Sequence, residues 1–203
     1  MKKIKLIVST ILIVSVLFGL VGCKKKFDEV TSEEFVNALE EVVGLSEEDI
    51  RVVNYDSSIS EYRIIYADLI DIQYEVEICH DQHPSIYAER YCFDEYHDAD
   101  YAREIFEINY ESRENSNNSN GESYLGENYG YILHEIDGAN FYHGYSNEAL
   151  EELNSRYNMD ELVLYGGMYY YDTTLISIEC LSDNEEDIER TRDFLDALGL
   201  PHM

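Results

Sequence analysis

Between Asp71 and Ile78 the chain alternates strictly: Ile72, Tyr74, Val76 and Ile78 are apolar, and Asp71, Gln73, Glu75 and Glu77 are polar. A period of two places one set of side chains in a core and the other in water, which is a half-buried strand. A strand wetted on one side belongs to an antiparallel sheet, because parallel sheets are covered on both faces. His80 to Ser85, with Pro84, then reads as the turn, and Ile86 to Phe93 as the partner strand.

The rest of the chain supplies elements that fit such a sheet. Thr31 followed by Glu34 is a capping box, opening a helix over 32–43 that Gly44 stops. Ile50–Tyr55 reads as a strand, and Tyr62–Tyr66 as extended or helical. Tyr101, Ala102, Ile105 and Phe106 share a face of a helix that follows Asp94–Asp98 and runs to about Ser112. Tyr129–Ile136 and Ala139–Tyr145 flank Asp137-Gly138, a hairpin signal. Ser146 caps a helix bearing Ala149, Leu150, Leu153 and Tyr157. Leu162–Tyr165 and Met168–Tyr171 lie either side of Gly166-Gly167, read as a turn or a bulge. Leu175–Leu181 is a further strand, and Asp187–Leu198 a last helix closed by Gly199 and Pro201. The expected class is α+β, an antiparallel sheet with helices packed on one face.

The polar run 113–123, RENSNNSNGES, reads as a connector between stretches 31–112 and 124–203. Cys92 and Phe106 match Cys180 and Phe194 at one offset, so the halves invite comparison as a duplication of helix, strands and helix. The matches are few, and chance explains them equally well. Residues 31–203 are therefore expected to form a single acidic domain.

The first 23 residues have another character. Lys2, Lys3 and Lys5 precede a short apolar run, Leu6–Phe18, and Leu20-Val21-Gly22-Cys23 follows. A basic head, a short apolar core and small residues before a cleavage point make a secretory signal, here residues 1–22. The ending resembles the lipobox of bacterial lipoprotein precursors. The resemblance implies lipidation of Cys23, removal of the signal before it, and anchorage on the outer face of a bacterial membrane. Two or more acyl chains hold a protein stably where a single chain does not. Residues 23–30 then form the lipidated cysteine and a short basic tether, of which Lys24–Val30 spans at most roughly 25 Å.

Charge is divided along the chain. After Lys24-Lys25-Lys26 no lysine occurs, and 43 acidic residues face eight arginines. The three lysines suit anionic headgroups. The body does not suit nucleic acid, whose binding needs cationic phosphate contacts. A body without lysine also excludes Schiff-base catalysis. The remaining cysteines, Cys79, Cys92 and Cys180, allow at most one internal disulfide. Cys79 to Cys92 is out of register in the expected hairpin, Cys92 to Cys180 is conceivable, and three reduced thiols is the simpler reading.

No phosphate-binding loop, zinc helix or serine elbow occurs. Two acidic-histidine clusters could hold a divalent cation: His80 with His83 at the expected hairpin tip, and Asp94, His97, Asp98 and Asp100 ahead of a helix. Polar residues also belong at a hairpin tip, and acids before a helix N-terminus. No other cofactor is indicated. The tyrosine-rich second half offers Tyr169, Tyr170 and Tyr171, of which at least one ring would be exposed on a one-sided sheet and could contact a partner. The functional expectation is a non-catalytic binding or assembly module for an envelope protein or cell-wall glycan. A carboxylate-dependent hydrolase of surface material and a solute-binding receptor are the alternatives.

Overall fold

The computed structural model describes residues 25–56, 61–68, 74–75, 85–86, 89–115, 121–137, 158 and 160–203. Its centre is a seven-stranded, wholly antiparallel sheet in the order β1-β2-β5-β9-β8-β7-β6. The strands are β1 Arg51–Asp56, β2 Glu61–Asp68, β5 Glu89–Tyr96, β6 Ser123–Leu125, β7 Tyr129–Asp137, β8 Val163–Tyr171 and β9 Thr174–Ser182. Among the described residues three α-helices accompany them: α1 Ser32–Ala38, α2 Ala99–Asn115 and α3 Glu185–Ala197. The α+β class and the antiparallel sheet are as expected.

Local chemistry sets the helix ends. The Thr31 side chain accepts the Glu34 amide, and the Glu34 carboxylate accepts the Thr31 amide at 2.8 Å, completing the capping box. α1 continues as a π-helical turn, Leu39–Val43, until Gly44 ends it at φ +82°. Asn184 caps α3, and Gly199 follows it at φ +66°.

Strand parity divides the core into two layers. Tyr165 and Tyr169 of β8 pack in a front cluster with Phe35, Leu39, Phe93, Phe194 and Leu195, under α1 and α3. The intervening Met168 and Tyr170 pack behind, with Ala102 and Phe106 of α2 and Ile132 of β7. Two helices thus share the front face as expected, and the third covers part of the back. The apolar face of α2 demands this, since its Phe106 must be buried somewhere. The ring lies 5.7 Å from that of Tyr170, over Gly130, where an added Cβ would stand 2.8 Å from it.

The same parity removes support for duplicated halves. Tyr91 and Phe93 face the front, so Cys92 faces the back, whereas Cys180 lies in the front cluster. A two-fold axis normal to the sheet, which relates adjacent antiparallel strands such as β5 and β9, would leave equivalent residues on one face. Being on opposite faces, Cys92 and Cys180 share no disulfide, and both are buried.

Other sequence expectations need correction. Gly166-Gly167 forms neither a turn nor a bulge, because β8 runs through both and pairs residue for residue with β7 and β9. Gly166 has φ +142°, and a Cβ there would meet the Ile178 carbonyl, so glycine permits close approach of β9. The turn falls at Asp172-Thr173, where Asp172 adopts φ +50°. Of the alternating stretch, Tyr74–Glu75 (β3) pairs with Ser85–Ile86 (β4) in a separate two-stranded sheet. Glu89–Phe93, expected to continue that hairpin, instead joins β5 between β2 and β9. The Ala139–Tyr145 strand and the helix after Ser146 lie outside the described residues.

Residues 25–30 are no free tether. Phe27 and Val30 are buried in the front cluster, with the Phe27 ring edge-on to Tyr129 at 5.6 Å and to Tyr169 at 6.0 Å. Among the described residues no helix is long and apolar enough to cross a membrane.

Candidate functional site

The tyrosines foreseen as a contact surface are mostly core. Tyr169 is 1 % exposed and Tyr170 2 %, while Tyr171 is half-buried beside Phe27. With a layer on each side of β8, alternation sends neighbouring rings into two cores rather than one into water. Both buried phenols have partners: Tyr169 Oη donates to the Pro201 carbonyl at 2.8 Å, and Tyr170 Oη to that of Glu127 at 3.2 Å. Burial pushes the Tyr169 phenol well up, keeping it a neutral donor.

The acidic cluster ahead of α2 builds the fold in the same way. Asp98 Oδ1 accepts the Asp100 amide at 2.9 Å, a helix cap. Asp94 accepts from the Cys92 thiol and the Tyr96 hydroxyl, each at 3.2 Å. Burial, then the Asp94 charge, push the Tyr96 phenol up. His97, Asp98 and Asp100 are exposed. Among the described residues no three His, Cys, Asp or Glu side chains are grouped to hold a metal. His80, His83, Cys79 and Cys23 lie outside the described residues.

A concave feature lies where β9 meets α3. It is a groove of about 390 Å³ lined by Asp160, Glu161, Asp183 and Glu185 together with Val163, Ser182, Asn184 and Ile188. The sequence around it is spent on starting α3. Asn184 accepts the Glu186 amide, Ser182 Oγ donates to Asp187 Oδ2 at 2.6 Å, and Arg190 donates to Asp187 Oδ1 at 3.0 Å. Acids at a helix N-terminus complement the exposed amides of its first turn. Asp183 accepts the Asn158 amide at 2.6 Å.

Two features escaped sequence reasoning. His134, on the back face of β7, has its Nε2 buried without a hydrogen-bond partner. Burial, with the Arg113 charge added, lowers its pKa to about 4, so the ring is neutral. The signal was its parity, since His134 falls in step with Ile132 and Ile136. The second feature is a stripe on α2, where Tyr101 is 50 % and Ile108 63 % exposed, two turns apart. The Tyr101 ring stands edge-on to Tyr96 at 5.3 Å.

No family model, curated protein or solved structure matches this chain. The reading therefore rests on the residues themselves.

Proposed function

We propose that this chain is a lipid-anchored extracytoplasmic protein, held by Cys23 on the outer face of a bacterial membrane, whose body serves as a non-catalytic binding or assembly module. Its partner would be another envelope protein or a cell-wall glycan. The observation that carries the anchor is Leu20-Val21-Gly22-Cys23 behind a basic head and a short apolar run. The non-catalytic role is supported by how the body spends its polar groups. Asp94, Asp98 and Asp187 each hold a strand or helix end in place, and His202 links Tyr165 to Asp196.

The carboxylate-dependent hydrolase alternative would draw on the acidic groove at the start of α3. A mass measurement on protein extracted from membranes tests the anchor. The expected product begins at Cys23 and carries acyl chains, and Cys23→Ala releases the protein from the membrane fraction. A mature chain without acyl mass refutes the reading. For the module, affinity capture from native membranes should enrich one envelope component above a charge-matched acidic control. Hydrolysis of wall material that is lost in Asp183→Asn would establish the alternative instead.

A further inference from the structure

We infer that the body stands on the membrane with the edge carrying Lys25, Glu122 and Pro201–Met203 against the headgroups and β1 directed away; this rests on the lipid-anchor reading above. A seven-residue tether would let the domain tumble at any angle. In the structure the chain is fastened from Lys25 onward. Its ammonium donates to the His202 carbonyl at 2.8 Å and pairs with Glu122 at 3.4 Å. Two residues later Phe27 is 4 % exposed, enclosed by Tyr129, Tyr169 and Tyr171. Val30 is buried as well, just before the Thr31 cap of α1. Cys23 precedes Lys25 by two residues, at most about 7 Å of chain. Acyl chains on Cys23 would therefore bring the surroundings of Lys25 to the headgroups.

Those surroundings lie at one edge of the sheet. Glu122 immediately precedes β6, and its carbonyl accepts the Leu133 amide of β7. His202 bonds through Nδ1 to Tyr165, and Tyr169 donates to the Pro201 carbonyl, so Pro201–Met203 lie over β8, two strands in from that edge and on the same half of the sheet. β1 is the opposite edge of the seven-stranded sheet. Six strand spacings put it roughly 29 Å from β6. The choice between standing and lying flat is electrostatic. With 43 acids against eight arginines after the lysine triplet, a body lying flat would press carboxylates onto an anionic surface. Standing on the lysine-bearing edge keeps that contact small.

Energy transfer to the bilayer tests the orientation on the full acylated protein. It would be purified from membranes and reconstituted in phosphatidylethanolamine and phosphatidylglycerol vesicles carrying a headgroup-attached acceptor dye. A donor is introduced through an encoded azide residue at Met203 or at Val52, both exposed. Transfer from position 203 should exceed that from position 52 several-fold. Phe27→Ala, which releases the strap, should reduce the difference, with thermal melting confirming that the variant is folded. Equal transfer from both positions, or stronger transfer from position 52, on protein whose mass shows acyl chains overturns the orientation and leaves the anchor standing. Absence of transfer together with an unacylated mass overturns the anchor reading, and the orientation with it.

Discussion

Replacing His134 by Leu should flatten the response of stability to mild acid. In the fold the Nε2 is out of water without a partner, and Arg113 at the end of α2 adds a like charge against protonation, lowering the pKa from 6.5 to about 4. The other groups facing the ring from the sheet are Gly166, opposite on β8 and bare, and Glu179 one strand further on β9. Because the folded pKa lies below the unfolded one, the neutral ring is favoured by folding. Its contribution is fully present above about pH 6.5 and is lost as pH falls towards 4. Between pH 7 and pH 5 the linkage amounts to about 2 kcal/mol. In a chain of this size that corresponds to roughly 4–8 °C in melting temperature. The many carboxylates also begin to titrate in this range, but they are common to both proteins and cancel in the comparison. Urea unfolding of wild type and His134→Leu at the two pH values gives the difference directly. Identical pH slopes would refute the account and show that the ring reaches water or an acceptor.

Three further outcomes follow from the packing. Phe27→Ala should destabilise the body by about 3–5 kcal/mol in urea unfolding, the range for emptying a buried aromatic site; a loss below ~1 kcal/mol would mean that the strap is not part of the core. Asp98→Ala should cost about 1 kcal/mol through loss of the α2 cap, equally in EDTA and in Ca²⁺, and a cation-dependent shift in wild type that vanishes in the variant would support the metal reading instead. Cys92 and Cys180 should resist a thiol reagent in the native protein and react on unfolding, as peptide mapping would show; rapid native labelling at either position would contradict their burial.

Much of the architecture was legible because it depends on neighbours in the chain. The Thr31–Glu34 box, the Gly44 and Gly199 stops and the strands at Tyr129–Ile136 and Leu175–Leu181 all follow from local hydrogen bonding and period. What failed was pairing. Ser85–Ile86 does pair with Tyr74–Glu75, but Glu89–Phe93, which adjacency in sequence places in the same hairpin, gains partners on both sides by joining β2 and β9. Gly166-Gly167 looked like punctuation because glycine usually is, whereas here it admits a neighbouring strand.

The candidate site shows the same boundary more sharply. Residue types marked Asp94, Asp98 and the tyrosine triplet as capable of chemistry or contact; their surroundings make Asp98 a helix cap, Asp94 an acceptor for Cys92 and Tyr96, and Tyr169 and Tyr170 core residues. His134 drew no notice in sequence, although its parity with Ile132 and Ile136 was visible. Only the arrival of α2 and Arg113 above it turns an ordinary histidine into one held neutral.

By itself the amino-acid sequence determined the basic head and apolar run ahead of Cys23, the division of charge, the helix ends and the antiparallel character of the sheet, since each is a matter of composition, period or contact within one turn. Tertiary structure alone decided strand order, the second layer behind the sheet, the burial of Tyr169 and Tyr170, and the fastening of Lys25–Val30 to the body. Those outcomes depend on which distant surfaces exclude water together, and burial is a property of the pair of surfaces rather than of either segment.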